Sequence, residues 1–399
     1  MNRGTLQGLL PQERVCRRVR RKVGYCHLRK DAVKINHVAD EPKAWQQRQG
    51  GTFKPVNISQ TEKIPPKRVL ITGGHEIGGV DSFAQALAGG FQDLGIPAEV
   101  LTPGQLLRRW RALRDPDVLK ILSTTAVFAA PLARRVICIA HGIPSVEAQG
   151  WSRVFGVPFS YKYANAVPGA QLVAVSHYTA AHIGSIFNVR FDGVVLNPIK
   201  SIYLESPEAA PDRCYVTFVG RLVALKNLHR LLPAVLDLLE EIPWLRACII
   251  GDGPQRSELV AIAGGHERLE FRGNPDDRTV REYLRRTKVF ISGNTTEGLG
   301  ITFLEALSQG CVVAMPACGG GLELALERIG HGIQLLPISL DRGEVLSILR
   351  RAVQLECVPM PVGAYSPRAV AAAYLEVDSR REMPGIRKWR QSSASLSER

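Results

Sequence analysis

Two loops in this chain concentrate residues able to grip an anion and a polyol. After an apolar run at 215–219 comes Gly220-Arg221-Leu222, and Lys226-Asn227 stands just before a helical pattern. An Arg and a Lys five positions apart, at a strand end and facing a helix N-terminus, suit a diphosphate. The guanidinium grips bidentately, the ammonium acts as a point charge, and the helix amides add donors. The second loop follows an apolar run at 289–292. It reads Gly293-Asn294-Thr295-Thr296-Glu297-Gly298-Leu299-Gly300 and enters a helix bearing Glu305. Gly298 and Gly300 let a ligand approach the backbone, and the helix beginning beside them aims free amides at it. Phe303, Leu304 and Leu307 pack inward, while Glu297 and Glu305 can both face the crevice and accept hydrogen bonds from sugar hydroxyls. The plainer alternative is a surface Arg, a helix-flanking Lys, an acid favouring a helix N-terminus and a solvated helix Glu.

The elements around these loops alternate. Apolar runs at 69–72, 98–102, 118–122, 136–140, 172–175 and 194–196 read as strands, and a second series lies at 215–219, 247–250, 269–271, 289–292, 312–315 and 333–336. Helical periodicity separates most of them, as at 81–94, 228–240 and 278–286. Short apolar strands alternating with helices mean parallel sheets covered on both faces, whose ligands sit beyond the strands' carboxyl ends. Pro198, Pro207 and Pro211 mark the break between the series. The expected domains are a basic extension at 1–65, a Rossmann-like domain at 66–197, a linker at 198–212 and a second Rossmann-like domain at 213–360. A C-terminal helix at 361–382, packing back on the first domain, and a loose tail at 383–399 complete the chain.

The sequence has 399 residues, 45% of them hydrophobic, and a net charge of +14. Length and apolar content suit two cores and exclude a wholly disordered chain, a collagen-like fibre or a bare coiled coil. The charge is uneven: residues 1–65 hold 14 Lys and Arg against 5 Asp and Glu. A basic tail on a nearly balanced body gives no reason to expect nucleic acid as a partner. The tail lacks sustained periodicity and the apolar stretch of a secretory signal, so a solvated extension is expected. Eight scattered Cys without a C-x-x-C point to reduced thiols and a cytoplasmic setting. No apolar run is long enough for a transmembrane helix. Residues 106–114, Leu-Leu-Arg-Arg-Trp-Arg-Ala-Leu-Arg, form a basic amphipathic stretch able to lie on an anionic membrane, at its inner face.

In order along the chain, several motifs resemble the retaining GT-B glycosyltransferases of family 4. They are Val194-Val195-Leu196-Asn197, Gly220-Arg221-Leu222 with Lys226-Asn227, Gly251-Asp252-Gly253-Pro254, Glu297 and Glu305 with Gly298-Leu299-Gly300 between them, and Gly320-Gly321-Leu322-Glu323. The resemblance spans about residues 68–377. It implies an α/β fold of GT-B type, with two doubly wound Rossmann-like domains facing each other across a cleft. It also implies a hexosyltransferase that takes a UDP- or GDP-hexose as co-substrate, with no cofactor and no metal, and passes the sugar to a glycan or lipid-linked acceptor in polysaccharide or glycolipid synthesis. Arg221 and Lys226 would hold the diphosphate, Glu305 the ribose hydroxyls, and Glu297 with the amides of Gly298, Leu299 and Gly300 the donor sugar. Asn294, Gly220 and Gly251 would line the donor site. Gly78 and Gly79 would let acceptor and phosphates approach. His141, in Ala140-His141-Gly142 at a strand end, matches the family's active-site His. Two features depart from the pattern: His75-Glu76 in the first loop, and Gly293-Asn294-Thr295-Thr296 in place of a commoner Pro-Ser stretch.

Rival readings fare worse. An extended short-chain dehydrogenase would need Gly at position 76, which is Glu, and a Tyr-x-x-x-Lys pair that is missing. A GT-A transferase would use Asp115-Pro116-Asp117, but that motif follows a helix-like stretch at 106–113, and a proline helix stop explains it. A GT-B nucleotide-sugar epimerase and a non-catalytic sugar-nucleotide scaffold share the architecture.

Overall fold

The computed structural model describes residues 64–73, 79–142, 146–205, 212–327 and 332–380. The expectations for Gly78, His75, Glu76, Pro207, Pro211, the extension up to residue 63 and the tail from 381 lie outside these residues. Among the described residues, twelve strands form two six-stranded sheets in which every pairing of neighbouring strands is parallel.

The first sheet has the order β2-β1-β3-β4-β5-β6, from β1 (Arg68–Thr72), β2 (Ala98–Leu101), β3 (Val118–Leu122), β4 (Val136–Ala140), β5 (Ala170–Ala174) and β6 (Gly193–Val194). The second has the order β12-β11-β10-β7-β8-β9, from β7 (Tyr215–Val219), β8 (Arg246–Ile250), β9 (Leu269–Gly273), β10 (Thr287–Ile291), β11 (Val312–Pro316) and β12 (Ile333–Leu336). Strand order reverses between β1 and β3 in one sheet and between β7 and β10 in the other. Loops diverge to opposite sides there and leave a crevice, which is where open parallel sheets take their ligands. The loop expected to hold a diphosphate follows β7 and the glycine-rich carboxylate loop follows β10, so both candidate loops flank one switch point.

The central strands β3, β4, β5 and β11 are buried at every position. Lys120 and Gln171 are buried within them, Lys120 Nζ donating to the Asp115 carbonyl at 2.6 Å and Gln171 Nε2 to the Val377 carbonyl at 2.7 Å, while the Gln171 Oε1 is buried without a hydrogen-bond partner. One buried apolar cluster includes Val69 and Ile121 of the first sheet, Val195 and Tyr203 of the connection, and Phe290 and Val313 of the second.

The terminal helix Pro367–Ser379 packs on the helix Gly79–Asp93 of the first domain. Ser366 caps it by accepting the Ala369 amide at 3.3 Å. A Cβ on Gly90 would come within 2.0 Å of the Pro367 carbonyl, so the two helices approach at a residue without a side chain. Arg135 forks onto Asp378 near the other end of the terminal helix.

Three sequence expectations need correction. Residues 106–113 do not form one helix. They divide between Pro103–Arg108 and Trp110–Arg114, because Arg109 leaves helical geometry at φ −99°, ψ 41°. Leu106 and Leu113 are buried, so a common apolar side survives the break. β10 begins two residues earlier than the apolar run suggested, since Thr287 pairs with Tyr215 through its backbone and its hydroxyl meets that of Thr217 at 2.6 Å. A helix at Val146–Ala166 was not expected at all, for Gly150, Gly156 and Pro158 interrupt its pattern.

Candidate active site

The second domain supplies an ion pair at its switch point. Lys226 Nζ donates to Glu297 Oε2 at 2.8 Å, joining the loop after β7 to the loop after β10, and Asn294 Nδ2 donates to the same oxygen at 2.6 Å. Asn294 is itself held by its loop, its Oδ1 accepting the Thr296 amide at 3.0 Å. Burial alone would raise the Glu297 pKa, but Lys226 and Asn294 together keep it below the ordinary carboxylate value. Glu297 is therefore an anion at neutral pH, and Lys226 keeps two ammonium protons for another acceptor. Asn227 fixes this corner. It starts the helix Leu228–Glu241 in a left-handed conformation at φ 49°, and its amide donates to the Gly293 carbonyl at 2.9 Å. Arg221 lies exposed at the end of β7, beside Gly220. Gly251 abuts Gly220 so closely that a Cβ on it would sit 1.9 Å from the Gly220 carbonyl oxygen.

Glu305 lies in the helix Ile301–Ser308, which Gly300 opens. The solvated reading of this residue fails, because it is only 7% exposed and lies among Phe303, Leu304 and Leu307, all buried. Burial pushes its carboxyl up to about 8, against the lowering influence of Lys200 and with a further rise from Asp277. A carboxyl with so high a pKa is mostly protonated at neutral pH and gains by meeting hydrogen-bond donors.

The first domain brings His141 from the end of β4. Its ring meets Phe83 edge-on with centroids 4.9 Å apart, its Nε2 is buried without a hydrogen-bond partner, and burial lowers its pKa to about 4. It is a neutral imidazole with one open valence, suited to a hydroxyl and unsuited to donating a proton as an imidazolium. Tyr161, on the unexpected helix, steadies the loop by donating to the Gly142 carbonyl at 2.8 Å.

The two halves meet at the glycine-rich loop. A Cβ on Gly298 would lie 2.3 Å from the His141 carbonyl oxygen. Gly298 is thus required for the approach of one domain to the other, a role the sequence did not suggest. Gly300 is crowded by the Phe303 ring, 2.6 Å from where its Cβ would stand. Ser176 Oγ donates to the Gly298 carbonyl at 2.8 Å and Asn197 Nδ2 to the Leu299 carbonyl at 3.0 Å. Gly79 opens the helix Gly79–Asp93, exposed and with nothing within 4 Å of a would-be Cβ. Val175-Ser176 resembles a strand end of the family 4 transferases, but sequence reasoning gave Ser176 no contact; it missed the parts played by Tyr161 and Phe83, which no local signal marks. Among the described residues no group of three or more His, Cys, Asp or Glu could hold a metal ion, and no helix is long and apolar enough to cross a membrane.

Residues 201–332 match the family described as glycosyl transferases group 1. The chain is 29% identical over 159 residues to the sulfoquinovosyl transferase SQD2 of Arabidopsis thaliana, a match covering 39% of this chain and 30% of that protein. It is 27% identical over 251 residues to the GDP-mannose-dependent alpha-(1-6)-phosphatidylinositol monomannoside mannosyltransferase of Mycolicibacterium smegmatis, covering 56% of this chain and 64% of the relative. The chain thus spans less than two thirds of the length of either protein. The crystal structure of Anabaena HepE in complex with UDP-glucose superposes with a TM-score of 0.57 at 18% identity, over 83% of this chain and 99% of that one. With its paired parallel sheets the chain has the GT-B fold, and its residues 201–332 match the glycosyl transferases group 1 family.

Proposed function

We propose that this protein is a retaining, metal-independent family 4 hexosyltransferase that moves a sugar from a UDP- or GDP-hexose to a glycan or lipid-linked acceptor. The observation that carries the reading is the Lys226–Glu297 pair across the β7/β10 switch point, with the His141 backbone against Gly298. Arg221 and the spare protons of Lys226 take the donor diphosphate, and Glu305 takes the ribose hydroxyls. Glu297 orients the hexose, and the open Nε2 of His141 meets a sugar hydroxyl. The bond from the anomeric carbon to the phosphate oxygen breaks while the acceptor oxygen bonds to the same face of that carbon. The acceptor proton passes to the departing diphosphate, whose growing charge the two cations stabilise. The chain needs no cofactor in this scheme. The sulfoquinovosyl and phosphatidylinositol-mannoside activities named for the relatives support a polar-lipid or glycan acceptor.

The same reading places the enzyme at the cytoplasmic face of an anionic membrane. Trp110 is 54% exposed, the guanidinium carbons of Arg111 and Arg114 lie 5.4 and 5.8 Å from its ring centroid, and Leu107, Phe128 and Leu132 are exposed nearby in the fold. Aromatic and aliphatic side chains among arginines suit an anionic lipid surface. Flotation with acidic vesicles tests this placement, and loss of binding in Trp110→Ala is the expected result. The transfer reading is tested by thermal shift against UDP, GDP and ADP and their hexoses, followed by product analysis with the stabilising donor. A rise in melting temperature with one donor and a product of retained anomeric configuration are expected. Indifference to every nucleotide sugar refutes the proposal.

A further inference from the structure

Glu323 lies outside the loops that handle the donor, yet its carboxylate reaches the opposite domain. One oxygen accepts the His177 amide at 3.0 Å and the other accepts the Tyr178 amide at 2.6 Å. These amides open the helix His177–Phe187, whose next amide, of Thr179, goes to Ser176 Oγ at 3.0 Å. First-turn amides have no partner inside their helix and carry its positive end, so a carboxylate there is favoured. Such caps ordinarily come from the residue just before the helix. Here the cap comes from a residue 146 positions away.

The helix that bears Glu323, Gly319–Glu327, is fastened to the glycine-rich loop. The Gly320 amide donates to the Glu297 carbonyl at 2.9 Å, and a Cβ on Gly320 would fall 1.8 Å from the Gly298 carbonyl oxygen. That same carbonyl accepts from Ser176 Oγ at 2.8 Å, at the start of the helix Glu323 caps. Glu323, the loop from Glu297 to Gly300 and the N-terminus of His177–Phe187 therefore close a ring of contacts across the cleft. His141, whose carbonyl touches the Gly298 position, sits beside it.

We propose that Glu323 is a positioning residue, an interdomain latch that caps the first domain's helix in trans and holds the sugar-orienting loop against His141. The inference rests on the transferase reading, since it assigns the closed cleft to the step that needs both halves. The diphosphate and ribose contacts of the donor belong to the second domain, with His141 the first-domain contact to the hexose, so donor binding leans little on the latch. Sugar transfer needs it, because the acceptor side must be brought up to the anomeric carbon.

The test uses the full chain with Glu323→Ala and Glu323→Gln, comparing amide hydrogen exchange at His177 and Tyr178, donor Kd and kcat. Glu323→Ala should lose at least tenfold of the protection at those two amides and about tenfold in kcat, with donor Kd changed less than twofold. Glu323→Gln keeps an accepting oxygen without the charge and should fall between wild type and Ala in both readouts. Wild-type protection and kcat in Glu323→Ala would overturn the latch, and so would a loss confined to donor Kd. Should Glu323→Ala fail to fold, Glu323→Gln decides alone: intermediate protection and kcat support the latch, and wild-type values overturn it. If the wild type turns over no donor, the transferase reading fails, while the amide protection still decides whether Glu323 ties the domains together.

Discussion

Glu305 makes donor affinity depend on pH around 8, well above the window of an ordinary carboxylate site. Its carboxyl stands at about 8 because it is buried. Ribose hydroxyls donate hydrogen bonds, and they favour the ionised form over the protonated one. At pH 7 about a tenth of the empty protein has Glu305 ionised, and at pH 8.5 about three quarters, so affinity should rise about eightfold between those values if only the ionised form binds well. Calorimetry with the accepted nucleotide sugar, run from pH 6.5 to 8.5, reads this directly as a falling Kd with proton release into the buffer. Glu305→Gln should abolish the pH dependence and weaken binding at pH 8.5 by about tenfold or more, the worth of a hydrogen bond to a charged group. The empty protein offers a second reading of the same group. A carboxyl whose folded pKa exceeds its unfolded value binds a proton more readily when folded, so its contribution to stability falls as pH rises between the ordinary value of 4.5 and about 8. Glu305→Gln should therefore flatten the decline of the apo melting temperature across that window. A flat Kd, or a pH slope that persists in Glu305→Gln, refutes the assignment.

Other outcomes follow from the loops. Arg221→Ala and Lys226→Ala should each lower kcat more than they weaken donor binding, because the diphosphate gains charge as it leaves; steady-state kinetics beside equilibrium binding separates the two effects. Gly298→Ala forces a Cβ toward the His141 carbonyl and should cost about 1–3 kcal/mol in denaturant titration, with turnover reduced as the domains part. Deleting residues 1–65 should leave turnover on a soluble acceptor unchanged.

Much of the fold was legible because it is written locally. β3, β4, β7 and β12 fall on the residues their apolar runs gave, and the charged loops sit at strand ends because the βα alternation puts them there. Boundaries slipped where pairing partners rather than composition decide, as at β10. The helix Val146–Ala166 was hidden by Gly150, Gly156 and Pro158, which weaken the periodic signal without preventing a helix that packs on β5. The conditions of the site residues were not legible at all. That Lys226 is paired with Glu297, that His141 is neutral with an open nitrogen and that Glu305 is mostly protonated at neutral pH depend on neighbours distant in sequence. Glu323 stood in a quoted motif, yet its partners, the amides of His177 and Tyr178, belong to the other domain, and backbone donors leave no mark in residue types.

In the proposed transfer, Arg221 and Lys226 stabilise the diphosphate as it leaves a bound hexose. The most direct measurement is single-turnover release of nucleoside diphosphate from a saturating, accepted donor by wild type, Arg221→Ala and Lys226→Ala, with bound donor measured in parallel. Both variants should still bind the donor at saturation but release diphosphate at least tenfold more slowly than wild type. Equal release rates at full occupancy would contradict that role.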